Sequence, residues 1–248
     1  MSGVALLVDT VTVEFGSFRA IDMLSLAIDF GEVRAVIGPN GAGKTTLLDV
    51  ISGITRPKQG RVIFDDLTDI VRSSESAIAR AGVRRKFQKP SIFEALSVEN
   101  NLRLALRSKS RPLWKEIAYR PSPDDETLII RVLDEIGMAS SAQRPGGVLS
   151  HGEKQWLEIG MLLVQEPKIL LLDEPVAGMT DEETERTAAL VKRLKSPARA
   201  IVVIEHDMSF VSEIADVVTV LHEGKLLLEG PMAQVRADPR VIDVYLGR

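Results

Sequence analysis

The chain contains no cysteine, which excludes disulfide bridges and thiolate metal sites and suits a reducing compartment. It lacks a basic excess as well. The net charge is -4, lysines and arginines are scattered, and "RRK" at Arg84 to Lys86 is too short for a patch, so nothing suggests a nucleic-acid partner. Long apolar runs are missing: "KILLLDE" and "AIVVIEH" fall far short of the roughly 20 residues needed to span a bilayer. The opening "MSGVALLVDTVTVEF" has no basic flank and turns polar after Val8, so no signal peptide is expected. There is no internal repeat, no low-complexity segment and no metal-type histidine cluster. The expectation is a soluble chain that reaches a membrane only through a partner.

What is present is a globular composition, 45% apolar and 27% charged over 248 residues, enough to bury a core in one domain or two small ones. Val11, Val13 and Phe15 alternate with polar residues, as do Leu24, Leu26 and Ile28. Separated by "GSFRAIDM", they predict two half-buried antiparallel strands. "EVRAVIG" predicts a buried strand running into a glycine-rich turn and the helix "GKTTLLDVISG", which Gly53 ends. "GRVIFDD" predicts another strand. From Ser91 to Gln165 the pattern becomes helical. "SVENNLRLALR" starts at a cap, Ser97, and "DETLIIRVLDEIG" sets Leu128, Ile129, Val132, Leu133 and Ile136 on one face before Gly137. The proline-bearing "SKSRPLWKEIAYRPSPDD" between them reads as a surface insertion, with Trp114 anchoring it onto the helices or, as the alternative, lying exposed.

Strand and helix then alternate through "KILLLDE", "TDEETERTAALVKRLK", "AIVVIEHD" and "MSFVSEIAD", and "VVTVLHEGKLLLEG" reads as a hairpin around Glu223 and Gly224, with His222 part of it. The nearly unbroken apolar runs suit strands covered on both faces of a parallel sheet. The fold class expected is α/β, interrupted by a helical subdomain. Residues 1–90 and 166–248 form the core and 91–165 the helical insertion.

The chemistry concentrates in a few stretches. "GPNGAGKTT" fits G-x-x-x-x-G-K-[ST], with Gly38, Gly43, Lys44 and Thr45 in the fixed places, Pro39, Asn40, Gly41 and Ala42 between them and Thr46 after. Its glycines let successive amides turn inward on an anion, and the following helix adds its positive end. Lys44 can reach the β- and γ-phosphates and Thr45 can ligate Mg²⁺. In "ILLLDE", Asp173 and Glu174 emerge at the carboxyl end of a buried strand, where open α/β sheets bind ligands. Asp173 is the candidate to hold Mg²⁺, directly or through water, and Glu174 the candidate base for an attacking water. His206 ends a second such strand in "AIVVIEHD" and is a candidate donor to a γ-phosphate. In "LSHGEKQWLEIG", Ser150 and Glu153 have capping-box spacing ahead of a helix-forming run. Such a start can simply open a helix or can also grip a phosphate.

The order "GPNGAGKTT", Gln88 in "RKFQKP", "LSHGE", "ILLLDE" and a following histidine resembles the nucleotide-binding subunit of an ATP-binding cassette (ABC) transporter along the whole chain. "RKFQKPSIFE", "LSHGEKQWLEIGMLL", "EPVAGMTDEETERT" and "DPRVIDVYLGR" are similar to ATPases of branched-chain amino-acid-type importers, above all the urea-importer branch. The resemblance implies a P-loop ATPase core with a mixed, mostly parallel sheet, an antiparallel β-subdomain and the inserted helical subdomain. It implies an ATPase using ATP and Mg²⁺, peripheral on the cytoplasmic side of the inner membrane. Its expected partners are two integral membrane permease subunits, a second ATPase subunit (a copy or a sister chain) and, indirectly, a solute-binding protein. Phe15 would stack on adenine, although an inward strand position is the alternative. Gln88 would sense Mg²⁺ and the attacking water, and residues from Pro90 to Phe93 would receive a helix of the membrane subunit. Leu149, Ser150, His151, Gly152 and Glu153 would face the ATP of the opposite subunit, with Gly178 and Met179 as cross-dimer contacts. The usual L-S-G-G-Q is altered at His151 and Glu153. A ribosome- or nucleic-acid-directed cassette would carry paired cassettes or a basic stripe, a non-catalytic subunit would lack Glu174 or His206, and a GTPase would show N-K-x-D.

Overall fold

Residues 3–65, 68–86, 91–107 and 122–246 are described in the structure, a computed structural model. Trp114 lies outside them. Two sheets are present. In the smaller, β1 (Val4–Phe15) and β2 (Phe18–Asp29) pair antiparallel, and β4 (Gln59–Phe64) and β5 (Thr68–Asp69) complete the order β2-β1-β4-β5. The segment "GSFRAIDM", expected to separate the strands, is mostly strand. Gly16 at φ 62 and Ser17 form a tight turn, Phe15 pairs with Phe18, and Ala20 and Ile21 are buried. Bulges hid this pattern: Thr10 and Met23 take positive φ, and the register shifts around Val11, so strict alternation breaks down. Gly60 must be glycine. At φ 91, a Cβ there would lie 2.5 Å from the Thr10 carbonyl oxygen.

The larger sheet has the order β10-β9-β3-β8-β7-β6, made from β3 (Val33–Ile37), β6 (Val83–Lys86), β7 (Ile169–Asp173), β8 (Ala200–Ile204), β9 (Val217–His222) and β10 (Lys225–Gly230). The β3–β8, β3–β9 and β7–β8 pairs are parallel, and β9–β10 is the expected hairpin, with positive φ at both Glu223 and Gly224. Every residue of β3, β7 and β8 is buried, as unbroken apolar runs require. β6 is absent from the sequence reading because "VRRK" holds one apolar residue. Two of its three cations are paired: Arg85 bridges Asp49 and Asp173, and Lys86 faces Glu158 at 3.8 Å. The short α2 (Glu75–Ala81), capped by Ser74, was likewise not foreseen.

Contacts divide the chain into two units, Met1–Arg85 with Lys168–Pro175 and Lys195–Arg248, and Lys86–Pro167 with Val176–Leu194. In the first, Val8, Val13 and Ile21 of the small sheet share one core with Leu171 and Val202 and with Leu47, Leu48 and Ile51 of α1 (Lys44–Ser52). A second cluster joins Ile37 and Val220 to Val211 of α7 (Met208–Ile214), Val235 of α8 (Met232–Ala237) and Val241 of α9 (Pro239–Leu246).

The second unit contains α3 (Val98–Arg107), α4 (Pro123–Glu135), α5 (His151–Leu163) and α6 (Asp181–Leu194). Ser97 caps α3 through the Asn100 amide at 3.2 Å, and Ser122 caps α4 with Asp125 in a reciprocal box. The expected apolar face of α4 buries Ile129, Val132, Leu133 and the following Ile136. Gly160 inside α5 lets neighbours close in, since a Cβ there would meet Ile136 Cδ1 at 2.8 Å. Contacts group α6 with this unit, whereas the sequence reading placed 166–248 in the core. The tie is Trp156, whose indole donates to Thr187 Oγ1 at 2.9 Å while Arg186 covers its ring. No helix of the described residues is long and apolar enough to cross a membrane.

Leu171 is fully buried at the centre of β7. Leu171→Ala is expected to lower unfolding free energy by about 2–5 kcal/mol, read as an earlier urea midpoint at unchanged slope; an unchanged midpoint contradicts the core assignment.

Candidate nucleotide site

The turn after β3 is built by three glycines at positive φ, a region that favours glycine. Gly38, Gly41 and Gly43 have φ of 150, 80 and 98. A Cβ on Gly38 would lie 2.2 Å from the Leu221 carbonyl oxygen and one on Gly43 2.6 Å from that of Ala20. Gly43 is the N-cap of α1 and brings no side-chain acceptor, so the first amides of that helix stay available to an outside anion. Lys44 folds back over the turn, donating to the Gly38 and Pro39 carbonyl oxygens at 2.7 and 3.0 Å. Burial holds its ammonium below the ordinary lysine pKa, with Glu174 and Asp173 pulling the other way. An amine held by two carbonyls in a partly dry site is ready to exchange them for phosphate oxygens.

Beside this turn lies a cleft of about 210 Å³, lined by Phe15, Phe18, Ala20, Asn40, Gly41, Gly43, Lys44, Thr45, Thr46, Glu174 and His206. Phe15 is 53% and Phe18 59% exposed. The inward alternative for Phe15 therefore gives way to a ring presented at the mouth of the cleft. Phe18 belongs with it and was missed, because it sits in the stretch read as a loop.

The ends of β7 and β8 deliver the carboxylates and the histidine. Glu174 takes φ 48 and its amide donates to the Ile204 carbonyl at 2.9 Å. Its Oε1 lies 3.0 Å from His206 Nε2. The two residues expected at this sheet edge thus meet each other directly. Asp173 is buried, and its Oδ2 accepts from Arg85 Nη2 at 3.0 Å. Its Oδ1 is buried with no hydrogen-bond partner. An orphaned carboxylate oxygen beside a phosphate loop fits a hard cation or that cation's water, and the Thr45 hydroxyl at the cleft supplies a second oxygen of the right kind. Arg85 was passed over in the sequence as part of a short basic run. Gln88 and Pro90 lie outside the described residues, while Phe93 is described and 52% exposed. The buried Asn101 props the loop there by accepting from the Phe93 amide at 2.8 Å and donating to its carbonyl at 3.0 Å.

In the second unit the capping box of α5 is formed as the spacing predicts. Glu153 N donates to Ser150 Oγ at 3.1 Å and Ser150 N to Glu153 Oε2 at 2.8 Å. Arg144 donates to Glu153 Oε1 at 2.7 Å, a partner with no sequence signal. Leu149 and Gly152 are buried and Ser150 exposed. His151 Nε2 lies 3.1 Å from the Ala177 carbonyl oxygen, close to Gly178, whose Cβ position is 3.7 Å from the same nitrogen.

A glycine-rich turn feeding a helix, with an acidic strand end and a histidine at the same cleft, defines a P-loop ATPase. Residues 21–177 match the family described as ABC transporter, and residues 225–248 match the one described as branched-chain amino acid ATP-binding cassette transporter. The high-affinity branched-chain amino acid transport ATP-binding protein BraF of Pseudomonas aeruginosa is 34% identical, covering 100% of this chain and 99% of its own length. The probable branched-chain amino acid transport ATP-binding protein LivG of Methanocaldococcus jannaschii is 30% identical over 94% of this chain and 93% of its own. Among solved structures, the ADP conformation of an ATP-binding cassette of an ABC transporter superposes with TM-score 0.87 at 28% identity, covering 100% of both chains. A nucleotide-free cassette superposes at 0.84 with 29% identity, covering 99% of this chain and 100% of that one. The chain belongs to the ABC transporter family and is an ATP-binding, ATP-hydrolysing transporter subunit.

Arg85 holds two carboxylates in a nearly dry setting. Arg85→Met is expected to cost about 3–5 kcal/mol, the range for stranding a buried charge, measured by chemical denaturation; a loss below 1 kcal/mol would show that water reaches Asp173 and screens it.

Proposed function

We propose that this chain powers an importer through a dimer in which each ATPase subunit lends the other part of its site. The observation that carries the reading is the Glu174–His206 pair at 3.0 Å on the cleft that the phosphate loop lines. Adenine stacks on Phe15, with Phe18 beside it. The amides of residues 38–46 wrap the phosphates, and Lys44 leaves its two carbonyl partners for the β- and γ-phosphate oxygens. Thr45 and Asp173, with Gln88, would hold Mg²⁺, which when bound offsets phosphate charge. Glu174 orients water towards the γ-phosphate and takes up its proton, and His206 steadies Glu174 and donates to the phosphate. Leu149 to Glu153 reach the ATP of the opposite subunit, where the Ser150 hydroxyl, the Gly152 amide and the start of α5 serve an anion. Gly178 and Met179 line the seam between the subunits.

Two integral membrane permease subunits, and through them a solute-binding protein, are the partners this reading requires. The exposed Phe93 ring, on a loop whose backbone Asn101 holds, supports a docking place there. Such an assembly places the chain on the cytoplasmic face of the inner membrane as a peripheral subunit. For the solute, relatives named for branched-chain amino acid transport support an amino acid over urea. Urea remains the second reading, favoured by "LSHGEKQWLEIGMLL" and "EPVAGMTDEETERT".

Glu174→Gln is expected to retain ATP binding and slow hydrolysis roughly 10²–10⁴-fold, measured by phosphate release. Near-normal turnover removes Glu174 from the role. Lys44→Ala is expected to abolish nucleotide retention on a filter, and unchanged retention would count against the phosphate loop. Reconstituted with its permease subunits and binding protein, the importer is expected to accumulate labelled leucine and not labelled urea; the opposite result establishes the second reading.

A further inference from the structure

The start of α5 already holds an anion of the protein's own. Ser150 Oγ donates to Glu183 Oε1 at 3.0 Å, and the Gly152 backbone lies against the same carboxylate. A Cβ on Gly152 would lie 2.6 Å from that Oε1, so the bare backbone at 152 is what lets the carboxylate approach. The other oxygen, Oε2, accepts from the Thr180 amide at 3.1 Å and from the Thr180 hydroxyl at 3.4 Å. The Thr180 amide first, then Ser150 and Gly152, hold the Glu183 carboxyl below its usual range against an opposing push from burial. Glu183 therefore stays ionised at neutral pH.

Thr180 and Glu183 form a capping box for α6, with Glu183 N donating back to Thr180 Oγ1 at 3.2 Å. That box needs only Thr180. The contacts to Ser150 and Gly152 are additional, and they use the donors that a phosphate at this helix start would need. A serine hydroxyl has one proton to give. Here it goes to Glu183, while the Ser150 oxygen accepts from the Glu153 amide.

We propose that Glu183 is the resident occupant of the signature helix start, and that the γ-phosphate of the opposite subunit's ATP must displace it from Ser150 and Gly152 for the dimer to close. This rests on the reading of Leu149 to Glu153 as the trans nucleotide site. Glu183 then sets the ATP concentration at which closure occurs. Because its second oxygen stays on Thr180, its departure pulls on the segment containing Gly178 and Met179. Arrival of phosphate in one place and rearrangement of the subunit seam become one event. No bond is made or broken, and the displaced carboxylate keeps its charge and its Thr180 donors.

The test uses the hydrolysis-blocked Glu174→Gln chain, alone and mixed with the sister ATPase of the same importer, with dimer formation followed by sedimentation across an ATP titration. Adding Glu183→Gln keeps the shape and the Thr180 acceptor but removes the charge. The half-maximal ATP concentration is expected to fall about fivefold or more, as befits a lost like-charge contact and a weakened competing hydrogen bond. An unchanged or higher value overturns the proposal and leaves Glu183 a capping residue. If the Glu174→Gln parent itself forms no ATP-dependent dimer, the underlying reading fails and takes the proposal with it. Should Glu183→Gln not fold, carbon-13 NMR of the Glu183 carboxyl in the Glu174→Gln chain decides instead. Its resonance is expected to move when ATP closes the dimer, and a resonance unmoved by closure overturns the proposal.

Discussion

A helix cannot pair its own first amides, and the chemistry of this chain depends on how each helix start meets that shortage. At α4 a serine oxygen does it, and at α7 Asp207 accepts from the Ser209 and Phe210 amides. At α1 nothing does: Gly43 is left-handed, brings no side chain, and is forced by the Ala20 carbonyl to remain glycine. The start of α1 is thereby an anion site by construction, and Lys44 doubles back over it. At α5 Ser150 meets the shortage together with Glu153, and Glu183 from outside the helix takes the Ser150 hydroxyl proton. On the proposed reading these are two halves of one phosphate grip. The first stands open to its own ATP, and the second is held by a carboxylate until the opposite subunit's ATP arrives.

The second constraint is that charge at the end of a buried strand needs a partner or a ligand. Asp173 ends β7 in the core, and Arg85 neutralises one of its oxygens while also reaching Asp49. The other oxygen has no protein donor. A carboxylate half satisfied by a fixed cation and half orphaned is poised to take a second positive charge from outside, which is why Asp173 suits a metal and Glu174, half-buried and turned to His206, suits water. Arg34 makes the contrast: buried in β3, it is bound to Glu32, Glu229, Thr219 and the Ala27 carbonyl. Every arm is used, so it carries structure alone.

The legible parts of the sequence were those whose physics is local. Gly38, Gly43, Lys44 and Thr45 stand at fixed spacing, Ser150 and Glu153 are one helical turn apart, and the apolar letters of β7 and β8 are contiguous. What could not be read depends on partners distant along the chain. Arg84 to Lys86 read as a basic run too short for a patch, yet they belong to the edge strand β6, where Arg85 and Lys86 pair with Asp49, Asp173 and Glu158 from distant parts of the chain. Phe18 was hidden by a bulged strand mistaken for a loop. Arg144 and Glu183 gave no signal, since each acts on the α5 start from outside it, Glu183 from 33 positions beyond Ser150. The Thr180–Glu183 capping box belongs to another helix, and such a box does not reveal that its carboxylate also bridges to α5.

The departures from L-S-G-G-Q at His151 and Glu153 look adverse to phosphate binding by charge count alone. Geometry removes most of the objection. The Glu153 carboxylate is turned back onto the Ser150 amide and met by the Arg144 guanidinium, so its field is largely cancelled within the helical unit. His151 sets its Nε2 3.1 Å from the Ala177 carbonyl oxygen and 3.3 Å from the Gln155 side-chain amide nitrogen. The imidazole thus braces the segment before Gly178 and leaves the Ser150 hydroxyl unobstructed. Glu183 is different, because its partners at the helix start are the neutral Ser150 and Gly152 donors and the rest are those of Thr180. With Glu153 paired to Arg144, Glu183 is the carboxylate that the Ser150 hydroxyl itself holds, and on the proposed reading a phosphate's approach is governed by where that carboxylate goes.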